Sequence, residues 1–309
     1  MPLIDRVACR DVPFLLGTDA RTGRWAGSAG SGEYRGIREL PPHPGYKNGL
    51  RPITTALLLA AGAGKRLLPR TNGSPKCLTE VCGVPILGRL LSCLVEEGFE
   101  QLVVVVGHRG EQVREYLESH ACGLRIHCID CREYATTNNI YSLWLAREHI
   151  QVPFVLIESD LVFESRLLGL LRTSNRIAVA RLRSPMHGTT VSFDDSGRVE
   201  AFAVGAFNGA RRPYKTVNLY SLSLPLWQEV RRRLEQRIDS GRVHDYYEVV
   251  FADMAAEGLL PFRAVHLDDG RWCEIDTPDD LVAAEQLFSG PQRTWGPRAT
   301  ERSRCKDRT

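Results

Sequence analysis

Hydrophobic positions fall into two regimes along this chain. From residue 54 to about 160, short unbroken apolar runs alternate with stretches whose apolar residues recur every three or four positions. The runs at 54–59 and 102–106 have the pattern of buried strands, and 124–130 and 154–157 also read as strands. Ile86, Leu87, Leu90, Leu91, Leu94 and Val95 recur at helical spacing, and Gly98 follows as a stop. Residues 111–119 and 140–150 also read as helices. Repeated strand–helix alternation predicts an α/β fold of doubly wound, Rossmann-like type, a mixed but mainly parallel sheet with helices on both faces.

After about residue 175 the pattern changes. Residues 176–182, 189–193, 199–204 and 215–223 are strand-like, and Asp194-Asp195-Ser196-Gly197 supplies a turn between two of them. Helices are expected at 225–240, 246–257 and 278–288. This half, 176–288, is expected to form a smaller mixed lid beside the crevice that open α/β sheets present at the carboxyl ends of their strands. Residues 1–52 lack any sustained apolar period and contain Gly- and Pro-rich stretches. They are expected to be a disordered extension, with packing on a partner subunit of a homodimer as the alternative. Residues 289–309 read as a polar tail, which leaves 53–288 as the folded domain and 53–175 as its first half.

Charge narrows the partners. With 40 basic and 37 acidic residues the net charge is +3, which gives no electrostatic case for nucleic acid. No apolar run approaches the roughly 18 residues of a membrane span, and no apolar signal core stands at the N-terminus, so cytoplasmic residence is the expectation. Nine cysteines are scattered along the chain, several in apolar segments as buried thiols. Cys128-Ile129-Asp130-Cys131 lacks the second pair or spaced histidines of a zinc site and reads as structural.

The chemistry-bearing stretch is Leu57-Leu58-Leu59-Ala60-Ala61-Gly62-Ala63-Gly64-Lys65-Arg66-Leu67, followed by Ser74-Pro75-Lys76-Cys77-Leu78. An apolar strand that ends in small residues lets backbone N–H groups approach an anion, and Arg66 and Lys76 add charge where a triphosphate sits. Leu67 stands where a dinucleotide fingerprint needs its third glycine. Arg66 stands where a Walker loop needs its Ser or Thr.

The L-A-A-G-x-G-x-R-L-x-P segment with its following P-K-x-L resembles the signature of the nucleotidyltransferases, which join an NTP to a small phosphate and release pyrophosphate. The resemblance runs from about Thr54 to Phe288. Thr137-Asn138-Asn139-Ile140-Tyr141-Ser142-Leu143 and Trp272-Cys273-Glu274-Ile275-Asp276 resemble segments of phosphocholine cytidylyltransferases. Lys215-Thr216-Val217-Asn218 and Tyr246-Tyr247-Glu248 are similar to segments of phosphonate cytidylyltransferases.

That resemblance implies a CTP-dependent cytidylyltransferase for a phosphonate or phosphomonoester of the 2-aminoethylphosphonate or phosphocholine type. It implies Arg66, Lys76 and Asp160 as catalytic residues, with Leu59, Ala60, Ala61, Gly62, Ala63, Gly64, Asn139 and Ser142 around the nucleotide. Asp160, just past a strand, and Asp276 are the expected Mg²⁺ ligands; Asp276 and Asn139 have helix-capping as their structural alternative. Lys215, Asn218, Tyr247, Glu248, Trp272 and Glu274 are the expected acceptor residues. The carboxylates there suit an amine or quaternary ammonium, and the aromatic rings could offer it a face. No Glu-Lys-Pro segment stands where sugar-1-phosphate nucleotidyltransferases carry one. That reading, and a non-catalytic nucleotide-binding subunit, remain the alternatives.

Overall fold

The computed structural model describes residues 51–64, 67, 73–182, 186, 188–205, 212–268 and 270–289. Nearly all of the expected extension and tail, and Arg66, lie outside them.

The first half alternates as its pattern predicts: β1 (Thr55–Ala60), a hairpin of β2 (Glu80–Val81) and β3 (Val84–Pro85), α1 (Ile86–Glu96), β4 (Gln101–Val106), α2 (Gly110–His120), β5 (Arg125–Asp130), α3 (Asn139–Leu145), β6 (Phe154–Glu158), β7 (Leu161–Phe163) and α4 (Arg166–Leu170). The second half contains β8 (Arg176–Arg181), β9 (Thr190–Phe193), β10 (Val199–Ala203), β11 (Tyr214–Leu222), α5 (Leu224–Asp239), α6 (Glu248–Ala256), β12 (Arg263–His266), β13 (Trp272–Glu274) and α7 (Pro278–Phe288). The main sheet has nine strands, with path β10-β9-β11-β6-β1-β4-β5 and β8 and β12 joined to it beside β11. Strands β6, β1, β4 and β5 are mutually parallel, whereas β11 turns the sheet antiparallel at β6.

Side-chain alternation along these strands splits the core in two. Leu57, Leu59, Val103, Val105 and Leu156 face a layer that holds Ile140 and Leu143 of α3, Trp227 of α5 and Phe251 of α6. Leu58, Val104, Val106, Val155 and Ile157 face the opposite layer, with Leu90 and Leu94 of α1, Val113 of α2 and Leu167 of α4. Cover on both faces is why β1 is buried at every position. A third, smaller cluster joins Leu67, Val81, Ile86, Val162, Ile275 and Leu281. It ties the turn after β1 to α7.

Several short elements have no clear periodic signal: β2, β3, β7, α4, β12 and β13. Three or four residues pair only because a neighbour is already in place, as β13 pairs β7 through Trp272 with Phe163 and Glu274 with Leu161. The helix expected over 140–150 is α only to Leu145, then tightens into a 3₁₀ turn over Ala146–Glu148. Its cap is Asn138, whose side chain accepts the N–H of Asn139, so Asn139 is not the cap.

Leu57 is fully buried at the sheet centre. Leu57→Ala is expected to cost about 2–5 kcal/mol, while Val95→Ala on the open face of α1 changes stability by less than about 0.5 kcal/mol. Urea midpoints at unchanged slope test both.

Candidate active site

The site begins where β1 ends. Leu59 pairs with Glu158 of β6, so the turn after β1 and the residues after β6 emerge side by side. Leu59 and Ala60 remain in the ladder, which leaves Ala61 to Gly64 as the turn. Gly64 has φ +58°, and a Cβ there would lie 3.1 Å from Lys76 Cβ. The turn therefore rests on the stem of that lysine. Leu67 N–H donates to Gly64 O at 3.0 Å, and the Leu67 side chain is buried. The bulk that excludes a dinucleotide fingerprint thus anchors the turn.

Lys76 opens a 3₁₀ turn after Pro75. Its Nζ donates to Asp160 Oδ2 at 2.8 Å and to Asp276 Oδ1 at 2.5 Å. Burial works against the ammonium, but Asp160 and Asp276 outweigh it and hold the Lys76 pKa above its usual value. Asp160 sits two residues past β6. Asp276 reaches it because β13 pairs with β7 and Ile275 N–H donates to Asp160 O at 2.9 Å. The capping alternative for Asp276 does not hold: Thr277 caps α7, in a reciprocal box with Asp280.

Asp160 Oδ1 is buried and has no hydrogen-bond partner. An orphaned carboxylate oxygen beside a second carboxylate fits a hard cation. No cluster of three or more His, Cys, Asp or Glu residues suited to a metal occurs among the described residues. A cation here would complete its shell with substrate and water oxygens.

Beside this triad lies a second group of charges. Lys215, 2% exposed, donates from Nζ to Glu274 Oε2 at 3.1 Å and to Thr216 O at 2.9 Å. Asn218 has φ +55° where the register of β11 shifts against β8. This bulge aims its amide at Glu274 Oε1, 3.4 Å away. Glu248, the first residue of α6, is buried, and its Oε2 has no partner. Burial pushes its carboxyl up to about 7. Burial also raises Glu274, against the pull of Lys215. Glu158 is pushed well above the carboxylate range by burial and then by Glu248 and Asp160. Glu158 was not singled out in the sequence, although a Glu that ends an otherwise apolar strand next to Asp160 is a readable signal.

Four expected site residues sit differently. Asn139 is committed at both ends of its amide: Nδ2 donates to Glu158 Oε1 at 3.2 Å, and Oδ1 accepts Tyr247 N–H at 3.0 Å. It ties α3 to β6 and to the start of α6. Ser142 is buried, with its hydroxyl 3.9 Å from Cys131 Sγ. Tyr247 is fully buried against Tyr220 and Phe251, so it offers no ring face to a ligand. Trp272 packs on the apolar layer beneath α1 and α4.

Comparison with known proteins gives a family model, curated relatives and a shared fold. Residues 56–208 match the model for the MobA-like NTP transferase domain. The chain is 35% identical over 255 residues to a CMP-5'-(3-aminopropyl)phosphonate synthase of Streptomyces rubellomurinus, covering 77% of this chain but only 39% of that protein. It is 33% identical to a choline-phosphate cytidylyltransferase of Streptococcus pneumoniae, covering 75% of this chain and 97% of the relative. The fold is similar to the solved CTP:phosphocholine cytidylyltransferase from Streptococcus pneumoniae, with a TM-score of 0.65 and 22% identity over 77% of this chain and 99% of that one.

The raised carboxyl of Glu248 sets a stability test. A native pKa of about 7 against the ordinary 4.5 means the folded chain holds the proton more tightly. Between those values it binds more protons than the unfolded chain, so stability falls as pH rises through the window and stays lowered above it. Full loss corresponds to about 3 kcal/mol at 1.36 kcal/mol per unit. Glu248→Gln, neutral at every pH, is therefore expected to be more stable than the parent at pH 8 and close to it at pH 4.5. Urea melts at the two pH values check this; equal destabilisation at both would assign Glu248 a purely structural bond.

Proposed function

The chain belongs to the MobA-like NTP transferase family, and on that premise we propose that it transfers CMP from CTP to a small aminoalkylphosphonate, releasing pyrophosphate. The observation that carries this reading is the pairing of two adjacent charge groups: Lys76 with Asp160 and Asp276 beside the Gly-rich turn, and, among the described residues, Glu158, Glu248 and Glu274 with Lys215. The first suits a triphosphate and its counterion. The second has more carboxyl groups than cations and calls for a positive ligand.

Chemically, the phosphonate oxygen attacks the α-phosphorus of CTP, the new P–O–P bridge forms, and the bond to pyrophosphate breaks. No side-chain nucleophile is required; catalysis consists of alignment and neutralisation of charge. Lys76 stabilises the charge that gathers at the α-phosphoryl group, and the amides of residues 61–64 bind phosphate oxygens. Asp160 and Asp276 are the residues to hold Mg²⁺, which when bound neutralises phosphate charge. Arg66, expected beside the β- and γ-phosphates, retains that role as a proposal.

The form of the cation follows from what faces it. A quaternary ammonium is recognised by exposed aromatic faces. Tyr247 turns its face into the core, and Trp272 is partly buried against the layer beneath α1 and α4. A primary ammonium has three N–H donors, and the partnerless Glu248 Oε2 is an acceptor for one of them. This favours an aminoalkylphosphonate over phosphocholine. The 3-aminopropylphosphonate product name of one relative supports the same choice.

A pyrophosphate-release assay of four NTPs against 2-aminoethylphosphonate, 3-aminopropylphosphonate, phosphocholine and glucose 1-phosphate tests the assignment. CTP with an aminoalkylphosphonate is expected to give the highest kcat/KM; a sugar phosphate in first place would overturn it. Lys76→Ala is expected to lower kcat about 100-fold or more, on the order of 3 kcal/mol, with little change in Tm. Asp160→Asn is expected to raise the Mg²⁺ concentration needed for half-activity, and full activity in a chelator would remove the metal from the scheme.

A further inference from the structure

Strand β5 ends the path of the main sheet and pairs with β4, His127 standing opposite Val103. The His127 side chain is exposed at this edge. His149 stands 22 positions further on, just after the 3₁₀ turn Ala146–Glu148. Its N–H donates to Ala146 O at 3.0 Å. The next residue, Ile150, is buried, and its carbonyl accepts Trp227 Nε1–H at 3.1 Å. Both histidines therefore project from backbone that is fixed independently of their rings.

The two rings meet nitrogen to nitrogen. His127 Nε2 and His149 Nδ1 lie 2.9 Å apart, with centroids at 4.7 Å and a tilt of 33°. One of these nitrogens carries a proton and donates it to the other. The outer nitrogens, His127 Nδ1 and His149 Nε2, bond to nothing among the described residues. The donating ring is therefore free to shift its proton to the outer nitrogen and present a second lone pair inward. Burial, His149 and Arg114 hold His127 below its usual pKa, which keeps that imidazole neutral and able to ligate at neutral pH. The adjacent Glu148 is turned away, toward Arg147 and Arg231.

We propose that His127 and His149 form a chelating pair for a borderline divalent transition cation, Ni²⁺ or Cu²⁺ ahead of Zn²⁺, and that the bound ion staples the edge strand to the segment leading into β6. Metal–nitrogen bonds of about 2.0–2.1 Å put ligands at neighbouring corners of a square-planar or octahedral ion about 2.9 Å apart, and those of a tetrahedral ion roughly 3.3 Å apart. The observed separation matches the first arrangement, and the exposed His127 ring has room to turn its lone pair onto the ion. Among the described residues there is no third protein ligand, so water completes the shell. Two imidazoles suit these ions and not the hard Mg²⁺ for which Asp160 and Asp276 are suited, so the donor chemistry keeps the two cations apart. An ion that binds the folded pair and not the unfolded chain stabilises the fold.

Nickel titration of the full chain tests this, with Mg²⁺ in excess throughout. Binding is read by calorimetry and by Tm, and the absorption spectrum reports whether sulfur ligates the ion. The parent is expected to take up Ni²⁺ with no sulfur-to-nickel charge-transfer band, and to gain about 5 °C or more in Tm at 100 times Kd. His127→Ala and His149→Ala are each expected to weaken binding by about 10-fold or more, since losing a ligand costs no less than losing a group that supports one. Both are expected to lose the Tm gain while melting near the parent in the absence of nickel. His127→Gln, which keeps a polar side chain of similar reach, is expected to behave as His127→Ala does and separates loss of the ligand from damage to the edge strand. Asp160→Asn is expected to bind nickel as the parent does. A parent that binds no nickel, binding that survives in both alanine variants, a charge-transfer band from the cysteines, or loss of binding in Asp160→Asn overturns the proposal.

Discussion

One ammonium group holds three distant segments of the chain together. Lys76 Nζ lies between Asp160 and Asp276, which stand 84 and 200 positions away in the chain. Each partner reaches it by a different structural route. Lys76 comes from the turn after the Gly-rich loop, Asp160 from the end of β6, and Asp276 from a three-residue strand that exists because β7 is there to pair with it. At side-chain exposures of 12–21% the three groups are shielded enough for their attraction to count and open enough to exchange partners with a substrate. In the proposed reaction, these contacts are the ones a phosphate group and its counterion would replace.

The neighbouring carboxyl group works by the opposite principle. Glu158, Glu248 and Glu274 are each raised by burial, and Lys215 is the cation paired among them. Such an arrangement costs stability in the free protein at neutral pH. A cation entering among them would relieve that cost, which is the basis of the proposed aminoalkylphosphonate acceptor.

Much of this was legible in the chain, and the illegible parts share a cause. The strands β1, β4 and β6 are apolar without interruption because both faces are covered, and that pattern requires no knowledge of partners. Lys76 and Asp276 stood out by their resemblance to family segments, and Asp160 also by its place after a strand. A sequence gives the type of a side chain and not its direction: Tyr247 turns into the aromatic core with Phe251, and Ser142 is buried beside Cys131. Asn139 was placed at the nucleotide, yet its amide is spent on Glu158 and on the Tyr247 N–H. Glu158 went unselected because its significance lies in its burial and in the neighbours that raise its pKa, Glu248 of α6 and Asp160 after β6.

The sequence by itself determined the layered α/β architecture, the glycine turn at the end of the first strand and the identity of the charged groups. These depend on local periodicity and on backbone preferences within a few residues. Only the tertiary structure decided which charges meet, which aromatic rings are hidden, and that His127 meets His149. Those outcomes depend on strand register and on pairing between segments far apart in the chain. A shift of one residue in a strand would turn each of its side chains to the other face.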